Sequence, residues 1–76
     1  MRILLAEDES ELAGWLVRAM AQSGFVVDWV DDGRMILTSL DQTRYDALVL
    51  DLGLPGRDGH DVLVDLRRAD MRVPVL

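Results

Sequence analysis

The 76-residue sequence predicts an α/β domain built on a parallel sheet, with elements in the order β-α-β-α-β-α-β. Three observations carry that expectation. The runs Ile3-Leu4-Leu5-Ala6 and Ala47-Leu48-Val49-Leu50 are apolar without polar alternation, as in strands buried on both faces. Segments with apolar residues three and four apart stand between the strand-like runs, which suits right-handed parallel crossovers. Both apolar runs end in acids, Glu7-Asp8-Glu9 and Asp51, and the carboxyl ends of strands are where open α/β sheets bind ligands.

The first strand covers Ile3 to Ala6. A helix follows from Ser10 to Ser23, with Leu12, Leu16, Ala19 and Met20 on its inward stripe and Trp15 beside it. Ser10 or Asp8 is expected to cap its start, and Gly24 suits the left-handed residue after its end. Gly14 inside the helix costs about 1 kcal/mol against alanine, with close packing as its one rationale. Phe25 to Val30 is the second strand, and Asp28 marks it as more exposed than the first. Asp31-Asp32-Gly33 supplies a turn and a cap, and Met35, Ile36, Leu37 and Leu40 give a short inward-facing helix.

The third strand runs from Asp46 to Leu50 and delivers Asp51 to its end. A loop with Gly53, Pro55 and Gly56 comes next. Asp58 then caps a helix in which Val62, Leu63 and Leu66 recur at helical spacing. Val73-Pro74-Val75-Leu76 begins a fourth strand. The sequence has no repeat, linker or low-complexity segment.

Composition narrows the function. The net charge of −6 argues against a nucleic-acid surface in this segment, because phosphate neutralisation requires an excess of Lys and Arg. All eight basic residues are arginine. Without cysteine there is no disulfide or thiolate metal site. No apolar run approaches the roughly 20 residues of a membrane span, and the apolar start is too short for a signal peptide. The expectation is a soluble cytoplasmic protein. A chain this short buries only about 60% of its unfolded surface, so partners would help its stability.

If the first and third strands are neighbours, Glu7, Asp8 and Asp51 meet at one rim. Three carboxylates side by side call for a cation, and a hard divalent ion such as Mg²⁺ fits one or two carboxylates, a backbone carbonyl and waters. Each acid also has a plainer reading. Glu7-Asp8-Glu9 suits a solvated helix N-terminus, and Asp51 suits a turn cap. His60 is expected to be a solvated surface residue, Trp15 and Trp29 to be packing residues, and Arg67, Arg68 and Arg72 to be a solvated helix end.

The stretches ILLAEDE, Gly24-Phe25, Asp32-Gly33, YDALVLDLGLPGRDG and Val73-Pro74-Val75 together resemble the receiver domain of two-component response regulators, from Arg2 to Leu76. The DLGLPG wording is most similar to receivers joined to winged-helix DNA-binding domains. The resemblance implies a flavodoxin-like doubly wound sheet of order 2-1-3-4-5, with residues 1–76 forming the N-terminal part of the domain, up to the start of strand four. Strand five and the last two helices lie outside these residues. It implies that Asp51 is the phosphoryl acceptor and Asp8 a direct Mg²⁺ ligand. Glu7 would be a second acid often acting through water, and the Gly53 carbonyl a backbone ligand. It implies a sensor histidine kinase as partner, with transcription controlled through a DNA-binding domain outside this segment. The Ser or Thr and the Lys that the family places at the ends of strands four and five are missing here: Thr43 is the last hydroxyl residue of that kind, and no lysine occurs.

Two other functions compete. An Mg²⁺-dependent aspartyl phosphatase would carry a second Asp two residues after the nucleophile, where this chain has Gly53. A self-associating module would use an uncovered sheet edge, and a homo-oligomer is expected on that ground. The receiver reading, in which the domain is not an enzyme, ranks first for function.

Overall fold

The computed structural model describes residues 1–76. Three parallel strands, β1 (Arg2–Ala6), β2 (Val26–Val30) and β3 (Ala47–Leu50), form a sheet of order β2-β1-β3. Leu4 pairs with Asp28 on one side and Leu48 on the other, and Ala6 with Val30 and Leu50. The central place of β1 explains its composition, since Ile3, Leu4, Leu5 and Ala6 are all buried. The edge strand β2 accommodates Asp28, in line with its sequence, but it leaves Val26 and Trp29 exposed, so Trp29 is not the packing residue expected.

Three α-helices flank the sheet: α1 (Ser10–Gln22), α2 (Ile36–Gln42) and α3 (Gly59–Arg68). Strand side chains alternate between faces. Leu4, Ala6, Val30 and Leu48 meet Ile36 of α2 and Val62 and Leu66 of α3 in one core, which Leu54 of the β3–α3 loop also enters. Ile3 and Leu5 turn to the opposite face, where α1 buries Ala13. Full burial of a side chain such as Leu4 or Leu48 contributes about 1.5–3 kcal/mol.

The inward stripe of α1 is rotated from the expected one. Ala13 is buried and Leu16, Val17 and Met20 are partly buried, whereas Leu12 and Ala19 are exposed. Of the helix, the small Ala13 comes closest to the sheet. Trp15 is 63% exposed and is not a packing residue. Neither Ser10 nor Asp8 caps α1; Glu9 holds the cap position without a side-chain bond, and its N–H donates to Glu7 Oε1 at 3.2 Å. Nothing in the structure requires glycine at Gly14, whose nearest neighbour is the flexible end of Arg18.

At the other end of α1, Gly24 adopts φ +92°, with its N–H on the Ala21 carbonyl and the Phe25 N–H on the Met20 carbonyl. This is the Schellman arrangement that the glycine led one to expect.

Met35 is also exposed rather than inward, because Gly33–Met35 form a single 3₁₀ turn ahead of α2 and only Ile36 is buried. The fourth strand is reduced to one bridge, Val75 to Leu48. Residues 74–76 still bond to β3, through Leu48 N–H to Pro74, Leu76 N–H to Leu48 and Leu50 N–H to Leu76 carbonyls. Pro74 has no N–H to extend that ladder. Strands β2 and β3 begin at Val26 and Ala47, one residue later than expected.

Candidate functional site

The rim at the carboxyl ends of β1 and β3 is built by backbone bonds that run one residue past the strands. Glu7 N–H donates to the Val30 carbonyl, and Asp51 N–H to the Ala6 carbonyl, each at 3.0 Å. The Trp29 indole N–H then donates to the Glu7 carbonyl at 2.7 Å. These bonds fix the backbone that carries Glu7, Asp8 and Asp51. One carboxylate oxygen from each of the three residues lies within 4.8 Å of the other two. Glu7 and Asp51 are partly buried, and Asp8 is exposed.

No basic side chain pairs with any of them. The ion pairs of the molecule use Asp28, Asp32, Asp61, Asp65 and Asp70 instead. Three hard oxygen donors, uncompensated and open to water on one side, form a donor set that suits Mg²⁺, which keeps several waters and takes one or two carboxylates. The plainer readings of these acids coexist with this arrangement. Asp51 Oδ1 accepts the Gly53 N–H at 3.0 Å in a turn, and Glu7 takes the Glu9 N–H at the start of α1.

Gly53 lies in the exposed loop directly after β3. That loop is anchored at both ends. Leu54 is buried in the core, and the Asp58 carboxylate accepts the His60 N–H at 2.8 Å, capping α3 as its sequence predicts. His60 itself is exposed, in line with a surface role.

Sequence reasoning missed three neighbours of the site. The Trp29 bond to Glu7 has no local sequence signal. Gly33 N–H reaches the Pro55 carbonyl at 3.0 Å across the sheet rim, again a purely tertiary contact. Arg57 grips Asp65 through Nε and Nη2 at 2.9 and 3.0 Å, with Asp61 beside it at 4.0 Å; its spacing to those acids along α3 was the available signal. The Arg57 bond holds the Asp65 carboxyl below the usual range, and Arg34 likewise holds Asp32 down to about 2.

A parallel sheet of order β2-β1-β3, helices on both faces and three unpaired acids at its carboxyl rim define a flavodoxin-like α/β domain with a cation-ready acidic site. The chain belongs to the response regulator receiver domain family, whose pattern matches residues 3–76. Over all 76 residues it is 47% identical to the transcriptional regulatory protein TctD of Salmonella typhimurium, covering 34% of that protein. It thus spans about a third of the length of the curated relatives it matches.

Its backbone superposes on the receiver domain of the Francisella response regulator 1452 with a TM-score of 0.93, at 27% identity, covering 97% of this chain and 61% of that one. The response regulator TrrA of Thermotoga maritima, crystallised with Mg²⁺ and BeF, gives a TM-score of 0.83 at 28% identity, with coverage of 90% and 59%. A crystal structure of the histidine kinase ThkA in complex with TrrA also contains a matching chain, with a TM-score of 0.88, 26% identity and coverage of 97% and 64%. The fold class read from the sequence is thus the observed one, and the domain is a response regulator receiver related to transcriptional regulators. No helix is long and apolar enough to cross a membrane.

Proposed function

We propose that Asp51 accepts a phosphoryl group from a phosphohistidine of a sensor histidine kinase, assisted by Mg²⁺ at Glu7, Asp8, Asp51 and the Gly53 carbonyl. The observation that carries this reading is the meeting of the three acids at one rim without a basic partner. TrrA, a neighbour in fold, has been crystallised with Mg²⁺ and BeF, and a matching chain occurs in the complex of TrrA with a histidine kinase.

In the proposed reaction an Asp51 carboxylate oxygen attacks phosphorus, the P–N bond to the imidazole breaks, and an acyl phosphate forms. The cation supplies charge neutralisation among the acids and on the phosphoryl oxygens. The chain's own contribution is placement. The Asp51 N–H on the Ala6 carbonyl and the Gly53 N–H on Oδ1 hold the carboxylate, leaving Oδ2 without a protein donor for attack. Gly53, two residues after the acceptor, offers no acid-base group and disfavours the phosphatase reading.

We further propose that these residues are the N-terminal part of a receiver in a longer transcription regulator, with a DNA-binding domain elsewhere in the protein. The support is the name of the TctD relative and the 34% of its length that the chain covers. Treatment with a small phosphodonor and Mg²⁺, followed by intact-mass analysis, tests the acceptor. One added phosphoryl group, lost in Asp51→Asn, is expected. Addition that survives in Asp51→Asn would overturn the assignment.

A further inference from the structure

The loop from Leu52 to Arg57 carries the Gly53 amide that rests on Asp51, and most of its residues are exposed. Its conformation is nevertheless fixed from two sides. On one side stands the turn that opens α2. Gly33 N–H donates to the Pro55 carbonyl at 3.0 Å, and a Cβ on Gly33 would run into the Arg57 backbone carbonyl. Gly56 adopts φ +81°, where any side chain is strained, and a Cβ there would strike the Asp32 carboxylate. Asp32 is itself immobilised, accepting the Arg34 N–H at 2.8 Å and the Arg34 guanidinium at 3.0 and 2.7 Å. On the other side, the two-pronged bond of Arg57 to Asp65 ties the loop's far end to α3.

We infer that the Asp32-Gly33 turn and Arg57 are positioning groups for the Asp51 site, holding the loop so that the Gly53 amide stays on the Asp51 carboxylate. None of them bonds to the acids directly; they act through the loop backbone. The inference rests on the reading of Asp51 as a cation-assisted acceptor. A loop that relaxes would release Oδ1 and move the Gly53 carbonyl, and supporting contacts of this kind are worth about 10–100-fold in metal affinity.

NMR on the protein tests this, with the Gly53 amide shift and its hydrogen exchange as one readout and Mg²⁺ affinity as another. Gly33→Ala is expected to move the Gly53 amide, speed its exchange and weaken Mg²⁺ about tenfold. Arg57→Gln should do the same to a smaller degree, and the charge swap Arg57→Asp with Asp65→Arg should restore the Gly53 shift. Tyr45→Phe, at the opposite end of the sheet, should lower the melting temperature while leaving both readouts unmoved. This separates positioning from general stability. If Gly33→Ala does not fold, Arg57→Gln decides. A folded Arg57→Gln protein with the wild-type Gly53 shift, exchange and Mg²⁺ affinity would overturn the inference. Absence of Mg²⁺ binding in the wild type would instead sink the cation reading, and the Gly53 shift and exchange would still decide the positioning role.

Discussion

The Trp29 indole N–H donates to the Glu7 carbonyl at 2.7 Å, so the ring of the edge strand is fastened to the first acid of the cluster. Trp29 is therefore a built-in reporter of that rim. Trp15 stands 63% exposed on α1 and would obscure it, but surface substitutions of this kind stay within about 0.5 kcal/mol of neutral.

In Trp15→Phe, adding Mg²⁺ is expected to shift the Trp29 indole proton and change its emission, and Asp8→Ala should remove the response. A saturating titration that leaves the Trp29 indole proton in place would mean that the cation sits elsewhere.

Away from the rim, the carboxylate of Asp28, in the middle of β2, accepts the Tyr45 hydroxyl at 2.6 Å and the Arg2 guanidinium at 2.9 and 3.1 Å. The Tyr45 bond, then the Arg2 bond, lowers the Asp28 pKa, while burial and the bond to Asp28 raise that of Tyr45. The carboxyl's contribution is present above the ordinary Asp range and is lost as pH falls through its depressed folded value. Tyr45 works the other way. Its contribution is present below the ordinary Tyr value near 10 and is lost as pH rises through its raised folded value. Tyr45→Phe is expected to cost about 1 kcal/mol at neutral pH, read from a urea midpoint, and to remove the alkaline loss. An unchanged midpoint would show the bond to be energetically idle.

Asp70 is the one non-glycine residue with positive φ, at 54°. It occupies the position after α3 that Gly24 holds after α1, with its N–H on the Arg67 carbonyl and the Met71 N–H on that of Leu66. A left-handed conformation costs an L-residue about 1–2 kcal/mol, somewhat less for Asp. The Asp70–Arg72 pair is exposed on both sides and offsets little. Asp70→Gly is expected to raise stability by about 0.5–1 kcal/mol with the denaturant slope unchanged. A loss of stability would show that the Asp70 side chain contributes more than its bond to Arg72 suggests.

Residues 74–76 flank β3 through one bridge, so residues 1–76 by themselves present an outer edge there, with Leu76 78% exposed. On the α1 face, Val49 is only partly buried. Such edges favour pairing with a second chain. Residues 1–76 by themselves are expected to dimerise or assemble further as concentration rises, followed by sedimentation over a dilution series. A monomer at all concentrations, with slow amide exchange in β3, would count against it.

Strand positions, the crossover order and the rim acids were legible because each leaves a local trace: an unbroken apolar run, a helical repeat, a carboxylate just after a strand. Asp58 and Gly24 were legible for the same reason, since caps are written within a few residues. The inward face of α1 was not. Leu12 and Ala13 differ by one position, and only the coverage of the sheet decides which turns in. Trp29 and Gly33 were illegible as neighbours of the site because their partners come from other elements, whereas Arg57 left a trace in its spacing to Asp61 and Asp65. The fourth strand read as such from its apolar residues, but Pro74 weakened the ladder that would define it.

The acids of the rim follow strands that stand far apart in the chain, and they meet because β1 and β3 pair, with Asp51 N–H on the Ala6 carbonyl as the bond that extends the ladder to the rim. During synthesis, therefore, no fragment ending before β3 can own this site. Parallel pairing across an intervening strand and two helices is a non-local event, and such contacts close late in folding. On the proposed cation reading, cation affinity and completion of the β1–β3 ladder become one equilibrium: ions that bind only the folded rim would resist separation of the two strands, by an amount set by their free concentration over the dissociation constant. A nascent chain would gain its capacity to hold a divalent ion in a single step, at the moment its third strand docks.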